Sequence, residues 1–280
     1  DFHEGANWKK GIASSLQTTF QATPILVDET LFYCTPYNRV FALNSETGKE
    51  KWVFDPQVEH EGKALLHCRG VSSWKDNLKN KNDECYHRII ATTIDAELFS
   101  IDGKTGKLCQ DFGNKGRIDL RTGLGNHNPE HYFSSSPPAI INDKIIIGGS
   151  VSDNITVDVP GGVVRAYDIR NGELLWYWDP IAPGKRPVLE DDENQLYQKG
   201  TTNVWSIISA DPELNMVYLP TGNTSPDNFG GYRNGSDYYS SSIVALNANT
   251  GEVVWHFQTV HHDVWDYDLP SQPTFYDFEK

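Results

Sequence analysis

An acid-rich segment toward the end of the chain carries the residue types that proton transfer and cation binding require. The stretch TVHHDVWDYDLPSQP at 259–273 places two histidines and three carboxylates, Asp263, Asp266 and Asp268, within eight residues. Apolar residues between the acids indicate a turn that packs against the protein, where an unpaired carboxylate is costly. A hard cation or a proton-transfer role would satisfy these carboxylates. A solvated acidic turn, or a His–Asp pair that satisfies buried backbone groups, remains the alternative.

Two further turns are rich in side-chain oxygen atoms. Asp153 and Asn154 follow the apolar stretch KIIIGG within 148–154, and Asn223 follows MVYL within 220–228. Each turn comes directly after a predicted strand, so the turns occupy equivalent places in a repeated fold. Asp and Asn oxygens at three such places are ligands that calcium prefers. Together with Asp266, these turns predict a calcium site.

A hairpin motif that recurs four times determines the predicted architecture. Each copy has a short apolar strand, an Asn/Asp-x-x-x-Gly turn and a second short strand, and the copies lie at 39–52, 97–109, 163–176 and 242–255. Glycine supplies the positive φ that such a turn needs. Another pair of apolar strands precedes each hairpin, which gives four strands per unit, as in a β-propeller blade. The sequence therefore predicts an all-β fold of four-stranded blades.

Tryptophans mark the ends of three hairpins. Trp52, Trp176 and Trp255 occupy this place, whereas the second hairpin has Cys109 there. We interpret these tryptophans as packing between neighbouring blades. Long loops between the blades are where a rigid scaffold would carry a functional site, and they lie at 113–134, 152–162, 180–204 and 224–240.

Composition limits the classes of function. The 280 residues carry a net charge of −14, and no Lys/Arg cluster is present that could neutralise phosphates, so nucleic acid is disfavoured as a partner. No run approaches the ~18 apolar residues of a membrane span. The final segment 256–280 ends in SQPTFYDFEK, which reads as the opening strand of a fifth blade. We therefore predict a single propeller domain over 1–280 that is incomplete at its C-terminus.

Four cysteines offer a choice between disulfides and free thiols. Cys68 and Cys85 flank a polar stretch, and a disulfide that closes it would suit an oxidising compartment. The alternative is four buried free thiols in a cytosolic protein. The absence of a CxxC pair argues against a zinc ribbon.

The blade repeat, CRGVS at 68–72, SSPP at 135–138, GSVSDN, GNTSPD and VHHDVWDYDLPSQP together resemble the quinoprotein dehydrogenases. These enzymes use pyrroloquinoline quinone (PQQ), and the most similar branch is the membrane-bound group that oxidises glucose, quinate or shikimate. The resemblance runs from about residue 20 to the end of the chain. It implies an eight-bladed propeller with PQQ on its axis, of which this chain holds about half.

The resemblance implies a role for individual residues of this chain. Asp266 matches the general base, and Trp205 matches the tryptophan on which the flat quinone stacks. The implied metal ligands are Asp153, with Asn154 beside it, Asn223 and Asp266, and the metal is calcium rather than a lanthanide or magnesium. The other implied PQQ contacts are Arg69, Ser135, Ser150, Asn203 and, less securely, Gln21. Asp268, two residues after the base, resembles an acid that marks lanthanide use in some relatives.

The implied reaction is PQQ-dependent oxidation of a cyclic polyol, quinate or shikimate, to its 3-dehydro ketone, with electrons passed to ubiquinone. The implied location is the periplasmic face of the bacterial inner membrane, reached through a missing N-terminal anchor. Oxidation of glucose to gluconolactone is the alternative within the family. A non-catalytic propeller scaffold and a glycosidase with paired carboxylates are alternatives from other classes.

Overall fold

The computed structural model describes residues 17–59, 65–154, 156, 158–233 and 235–276. The first strands are β1 (Gln17–Thr23), β2 (Ile25–Val27), β3 (Thr30–Cys34), β4 (Val40–Asn44), β5 (Glu50–Phe54), β6 (Leu65–Gly70), β7 (Ser72–Lys75), β8 (His87–Thr92), β9 (Glu97–Asp102) and β10 (Arg117–Asp119). They are followed by β11 (Tyr132–Phe133), β12 (Ala139–Ile141), β13 (Lys144–Ile147), β14 (Ser150–Val151), β15 (Val164–Asp168), β16 (Leu174–Trp178), β17 (Ser209–Asp211), β18 (Met216–Pro220), β19 (Ser242–Asn247) and β20 (Val253–Gln258). Short 3-10 helices lie at Pro129–His131, Gly230–Tyr232 and Ser236–Tyr239.

Four of the sheets have four strands each, and their neighbouring strands are antiparallel. Their strand orders are β2-β3-β4-β5, β10-β9-β8-β7, β12-β13-β15-β16 and β17-β18-β19-β20. These sheets confirm the four-stranded units predicted from the repeat. The sequence did not predict β1, which pairs in parallel with β6 and places Phe20 opposite Cys68.

The hairpin turns form for a local reason. In the first hairpin the Asn44 side-chain oxygen accepts a hydrogen bond from the Thr47 backbone N–H at 2.8 Å, and Gly48 N donates to the Asn44 carbonyl at 2.8 Å. Gly48 then adopts φ +67°, a region that glycine enters without steric cost. Asp102 and Gly106 repeat the arrangement in the second hairpin. The motif spacing therefore encodes the turn.

Tryptophan packing occurs where the repeat predicted it in two sheets. Trp52 is buried and donates its indole N–H to the Gly103 carbonyl of the next sheet at 3.1 Å. Trp176 makes the same type of bond to the Ala248 carbonyl at 3.0 Å. Trp255 differs, because it stays 44% exposed on β20, the last described strand. The tryptophan of one sheet thus lies on the turn of the next sheet in both cases where a next sheet is described.

The chain divides into two compact units. The first comprises 1–120, 133–138 and 170–172, and the second comprises 121–132, 139–169 and 173–280. The first unit has a core that includes Phe32, Ile89, Phe99 and Ile101, and the second has a core that includes Ile146, Val164, Val217 and Leu246. The single domain over 1–280 stays a prediction.

One predicted strand is wrong. The second strand of the second hairpin does not form at 107–109, where Leu108 makes only an isolated bridge to Ile101. The fourth strand of that sheet is β10, because Cys109 is tied to Cys85 and the chain turns back through Gly113 and Gly116 at positive φ.

The predicted disulfide between Cys68 and Cys85 is also wrong. The pairs are Cys34–Cys68 and Cys85–Cys109, and the described residues leave no free cysteine. Each disulfide joins segments that the sheets bring together, so sequence spacing alone did not reveal the pairing.

The C-terminal segment extends past the last sheet without regular structure. Residues 271–276 form no strand, and 277–280 lie outside the described residues. The opening strand of a fifth blade therefore stays a prediction. Among the described residues, no helix is long and apolar enough to cross a membrane.

Candidate cation and cofactor site

Three loops of the second unit hold most of the predicted site residues. They follow β16, β18 and β20, and backbone hydrogen bonds fasten them together. Gly222 N donates to the Asn203 carbonyl at 2.8 Å, and Leu269 N donates to the Thr221 carbonyl at 3.3 Å. The hydroxyl of Thr202 adds a bond of 2.6 Å to the Gly222 carbonyl. The loop that carries Asp268 therefore lies against the loops that carry Asn203 and Asn223.

Side-chain hydrogen bonds link predicted residues within these loops. The indole N–H of Trp205 donates to Asp268 Oδ2 at 2.7 Å. The amide of Asn203 donates from Nδ2 to Asp153 Oδ2 at 2.6 Å. The structure therefore brings Trp205 to the acid-rich turn and Asp153 to Asn203, as a shared site requires.

Three buried oxygen atoms of this region have no hydrogen-bond partner. They are Asn203 Oδ1, Asp227 Oδ1 and Asp268 Oδ1. Two of them face Gly222, where an added Cβ would lie 3.0 Å from Asp268 Oδ1 and 3.3 Å from Asn203 Oδ1. A buried acceptor without a donor is costly. Acceptor atoms of this kind are what a cation would satisfy.

The electrostatics of the loops also favour a cation. Burial, followed by the charges of Asp227 and Asp268, raises the pKa of the Asp153 carboxyl well above its usual range. Burial and the charges of Asp266 and Asp268 raise the pKa of Asp227 in the same way. Burial raises the pKa of Asp268 to about 6, although the Trp205 hydrogen bond opposes the shift. Carboxyls that raise one another's pKa values are ionised together when positive charge lies between them.

The spacing of the acids limits how such a cation is held. Among the described residues, the one group of three His, Cys or acidic side chains whose ligand atoms lie within 4.8 Å of one another is Cys85, Cys109 and Asp111. The two cysteines form a disulfide and are not ligands. The acids of the second unit are spaced more widely, so a cation there would also need amide or water oxygens, which calcium accepts.

Asn223 has a different environment from the other predicted ligands. Its Oδ1 accepts hydrogen bonds from Thr224 N at 2.9 Å and Ser240 Oγ at 2.8 Å. Its Nδ2 donates to the carbonyls of Asp227 and Asp263, both at 3.2 Å. The side chain therefore joins two loops, and one of these bonds would have to open for Oδ1 to reach a metal. Its role as a ligand stays a prediction.

Asp263 shapes the turn that presents Asp266. The buried Asp263 carboxylate accepts hydrogen bonds from Trp265 N at 2.9 Å, Tyr267 N at 2.8 Å and Ser241 Oγ at 3.0 Å. The intervening Asp266 adopts φ +59° and remains exposed. Partial burial and the neighbouring Asp263 charge raise the pKa of Asp266. The turn thus holds out a carboxyl whose proton affinity is higher than usual.

Asp227 and Arg233 belong to this region but were not predicted as site residues. Arg233 is buried and donates to the carbonyls of Pro226 at 3.0 Å and Asp227 at 2.6 Å, and also to that of Asp263. Asp227 is 1% exposed, unusually low for a carboxylate. The sequence signal for Asp227 is that it is a second oxygen-bearing side chain in the same turn as Asn223.

The remaining predicted cofactor contacts of the second unit are less connected. Ser150 lies buried in β14, and Asn154 is exposed three residues after the end of β14. Within the described part of the chain, neither side chain is hydrogen-bonded to the acid-rich loops. Their contacts with cofactor or metal stay predictions.

Three predicted cofactor contacts lie in the first unit. Arg69 N donates to the Ser135 carbonyl at 2.7 Å, and the Arg69 guanidinium also donates to the Ser135 hydroxyl. Burial lowers the pKa of Arg69, which nevertheless stays a cation at neutral pH. Gln21 is exposed on β1 and bonds locally to Thr19 Oγ1 at 3.0 Å. The structure therefore joins Arg69 to Ser135 by hydrogen bonds. It places Gln21 on β1, which pairs with the β6 strand that carries Arg69, but the Gln21 side chain bonds to Thr19 instead.

Comparison with known proteins identifies the same family as the motifs. A family model described as "PQQ: Glucose/ethanol/alcohol dehydrogenase, beta-propeller domain" matches residues 2–280. The quinoprotein glucose dehydrogenase of Escherichia coli (strain K12) is 41% identical over 93% of this chain and 33% of its own length. The quinate/shikimate dehydrogenase (quinone) of Acinetobacter baylyi is 38% identical over 92% of this chain and 34% of its own length.

A solved structure shares the fold. The quinohemoprotein alcohol dehydrogenase ADHIIG of Pseudomonas putida HK5 superposes with a TM-score of 0.69 at 28% identity, covering 91% of this chain and 36% of that one. The chain thus spans about a third of the length of these relatives.

Proposed function

We propose, from the premise that this chain belongs to the PQQ glucose/ethanol/alcohol dehydrogenase family of β-propeller domains, that it is part of a dehydrogenase that oxidises a small polyol. The observation that carries the proposal is the set of unpartnered buried oxygens at Asn203, Asp227 and Asp268, together with the hydrogen bond from the indole of Trp205 to Asp268. A scaffold would have no reason to keep such costly groups buried.

The oxygen atoms fit a hard divalent cation. Asp153 and Asp268 offer carboxylates, and Asn203 offers an amide oxygen that is already unpartnered. We propose calcium, because it tolerates a wide and irregular set of oxygen ligands, whereas magnesium demands a compact octahedron. A lanthanide would bind the same oxygen type. Asp268 is already fixed by Trp205 in this chain, so its presence alone does not favour a lanthanide.

The residues also fit PQQ, a planar tricarboxylate. The partly exposed Trp205 offers an indole surface for stacking. In the first unit, the Arg69 cation offers charge-assisted hydrogen bonds to carboxylate or carbonyl oxygens, and Ser135 orients it. PQQ, when bound, supplies the two-electron oxidising chemistry that no side chain provides.

Asp266 is the proposed general base. Its carboxyl is exposed at the end of a fixed turn, and partial burial with the neighbouring Asp263 charge raises its pKa, which favours accepting a proton from an alcohol. The hydrogen bonds of Asp263 hold the turn in place. Asp266 would therefore remove the hydroxyl proton of the substrate as the carbon is oxidised.

For the substrate we propose quinate or shikimate, and glucose is the alternative. Both classes of activity occur in the names of similar proteins. We prefer the cyclic acids on the resemblance of the sequence motifs, since the identities of 41% to a glucose dehydrogenase and 38% to a quinate/shikimate dehydrogenase do not separate the two substrates.

We propose ubiquinone as the electron acceptor and the periplasmic face of the inner membrane as the location. The two disulfides support this placement, because disulfides persist in oxidising compartments. Membrane attachment through an N-terminal anchor is part of the same proposal.

The test uses the full-length protein with added PQQ and calcium. We expect the protein to acquire the absorbance of the quinone when PQQ binds. Addition of quinate or shikimate should then reduce an artificial dye supplied as the electron acceptor. Dye reduction with glucose alone would establish the alternative substrate. Failure to bind PQQ would favour the non-catalytic propeller scaffold. If the oxygen cluster is the metal site, the Asp268→Asn variant should bind calcium more weakly than the wild type.

A further inference from the structure

Arg233 is a buried cation that contacts the acid-rich turn at 263–268. It is only 3% exposed, and a charge so far from water is costly unless its donors are bonded. Nε donates to the Pro226 carbonyl at 3.3 Å, and Nη2 donates to the carbonyls of Pro226 at 3.0 Å and Asp227 at 2.6 Å. Nη1 donates to the Asp263 carbonyl. All three nitrogen atoms of the guanidinium are therefore engaged on backbone carbonyls.

The carbonyls that Arg233 binds belong to two different loops. Pro226 and Asp227 lie in the loop after β18, which also carries Asn223. Asp263 lies in the loop after β20 and begins the acid-rich turn. The donors of a guanidinium form a rigid planar fork, so the carbonyls bonded to it are held at fixed places relative to one another. Arg233 therefore sets how the acid-rich turn lies against the loop of Asn223.

Asn223 reaches two of the same carbonyls from its own side chain. Its Nδ2 donates to the Asp227 and Asp263 carbonyls, both at 3.2 Å. The two loops are therefore joined twice, once by a neutral amide and once by a charged guanidinium. Charge-assisted hydrogen bonds are shorter and stronger than neutral ones, and the bond from Arg233 to the Asp227 carbonyl is the shorter of the two at 2.6 Å. If Asn223 turns its side chain toward a cation, Arg233 keeps the loops joined.

Asp263 connects Arg233 to the proposed base. Its carbonyl accepts from Arg233, while its carboxylate accepts from Trp265 N at 2.9 Å and Tyr267 N at 2.8 Å. These two amides flank Asp266, which adopts φ +59°. A residue with a side chain is held in that region only by its surroundings, at a cost of about 1–2 kcal/mol. A displacement of Asp263 would therefore displace Asp266.

Arg233 is itself held by its own segment. Arg233 N donates to the Gly230 carbonyl at 3.2 Å, and the Arg233 carbonyl accepts from Ser236 N at 2.8 Å. The same segment contacts the loop after β20 again, because His262 Nδ1 lies 2.7 Å from Asp237 Oδ2. No side chain fits at Gly230, since an added Cβ would collide with the His262 ring. The guanidinium therefore has a fixed support from which to hold the turn.

We propose that Arg233 is a positioning residue for Asp266: it holds the Asp263 carbonyl, and through it the acid-rich turn, in the place that proton transfer requires. The inference rests on the proposed function, in which Asp266 is the general base. A base accepts a proton only when it is aligned with the donor, and a misplacement of about 1 Å costs on the order of 10²-fold in rate. Arg233 needs no contact with the substrate for this role.

The first test compares Arg233→Lys with the wild type in the full-length protein with PQQ and calcium. Lysine keeps the charge but has no planar fork with which to join the carbonyls of both loops. We expect kcat for the oxidised polyol to fall roughly 10- to 100-fold, with KM unchanged because Arg233 does not contact the substrate. The matched control is Arg186→Lys, which changes an exposed arginine of the same unit and should alter neither constant. An unchanged kcat in Arg233→Lys would overturn the proposal.

A double-mutant cycle distinguishes positioning of the base from a general loss of structure. If Arg233 acts through Asp266, Arg233→Lys should change kcat by less than about twofold when it is introduced into Asp266→Asn, because the base is already absent. An equal fall in kcat in both backgrounds would show that Arg233 supports the fold and not the base, and would overturn the proposal. Arg233→Gln, which does not bury a bare ammonium, serves the same comparisons if Arg233→Lys does not fold.

Amide hydrogen exchange separates this proposal from the proposed function. In the cofactor-free full-length protein, Arg233→Lys should speed exchange of the Trp265 and Tyr267 amides roughly tenfold, because the turn opens more often. Exchange of the β19 amides should stay unchanged, which shows that the sheet is intact. If the wild type oxidises no polyol but this faster exchange is found, the proposed function fails and the support of the turn by Arg233 stands. Unchanged exchange at the two amides would overturn the proposal whatever the activity.

Discussion

At the residue scale, Asp263 and Asp266 show how two nearby acids acquire different roles. Asp263 is buried and accepts hydrogen bonds from two backbone N–H groups and one hydroxyl. Asp266, three residues later, is exposed at positive φ and has a raised pKa. The first acid is a structural acceptor, and the second is available to a substrate.

Replacing Asp266 by Asn should separate catalysis from cofactor binding. The variant keeps the size of the side chain but cannot accept a proton, so we expect kcat to fall roughly 10²- to 10⁴-fold. PQQ binding, followed by quinone absorbance in the full-length protein, should be retained. The matched control is Glu213→Gln, an exposed acid on the turn between β17 and β18. Near-normal turnover in Asp266→Asn would refute the assignment.

His67 should make the first unit sensitive to acid. Burial and the charge of Arg69 lower the pKa of His67 from 6.5 to about 4. Between these values the unfolded chain binds a proton that the folded chain does not, so the free energy of unfolding falls as the pH falls. We expect His67→Gln to reduce this dependence, measured by denaturant unfolding at pH 7 and pH 5. If the free energy of unfolding changes equally with pH in the wild type and in His67→Gln, His67 is not the cause of the acid sensitivity. The control is His261→Gln, which replaces an exposed histidine.

At the scale of the structural element, the Asx-Gly turn is both a local motif and a packing surface. Gly48 and Gly106 have nearly the same positive φ, +67° and +74°. An added Cβ at Gly48 would meet open space, whereas one at Gly106 would lie 2.8 Å from the Trp52 ring. The same turn therefore tolerates substitution differently according to what covers it.

This difference predicts the outcome of two alanine substitutions. Gly48→Ala should cost about 1–2 kcal/mol, because alanine is strained at positive φ. Gly106→Ala should cost about 1–3 kcal/mol more, because the methyl group also displaces the Trp52 ring. Denaturant unfolding of the two variants measures the difference. Equal losses of stability would show that Trp52 does not pack on the turn as described.

At the scale of the whole molecule, the chain covers about a third of its relatives' length, and its last sheet has an uncovered face. Trp255 is 44% exposed there, while Trp52 and Trp176 are each 8% exposed. Val254 and Phe257 are exposed on the same strand. By analogy with Trp52 and Trp176, we predict that Trp255 is covered in the full-length protein.

The full-length protein should therefore be as sensitive to Trp255→Ala as to Trp176→Ala. Each substitution should lower the free energy of unfolding by about 3–5 kcal/mol, the usual cost of truncating a buried tryptophan. Chemical denaturation of both variants gives the comparison. A cost below about 1 kcal/mol for Trp255, as for an exposed residue, would mean that its face remains open in the complete protein.

The amino-acid sequence by itself determined the features that depend on short separations along the chain. The turn motif closes within five residues through its own Asn or Asp side chain, so the hairpin turns and the four-stranded sheets followed from spacing, except for the fourth strand of the second sheet, which is β10. The cofactor motifs led to the roles predicted for Trp205 and Asp266, and these roles stay predictions. These features need no knowledge of distant contacts.

Tertiary structure alone decided the features that depend on distant segments. Cys34, at the end of β3, pairs with Cys68 of β6 because these two strands from different sheets lie in contact. Asn223 uses its amide to join loops, and Asp227 leaves an oxygen unpartnered, because each lies buried among residues far along the chain. A cavity of about 340 Å³ in the second unit is likewise lined by residues from separate loops, among them Lys185 and Arg233. Burial and neighbouring charge, which fix these roles, exist only after the chain has folded.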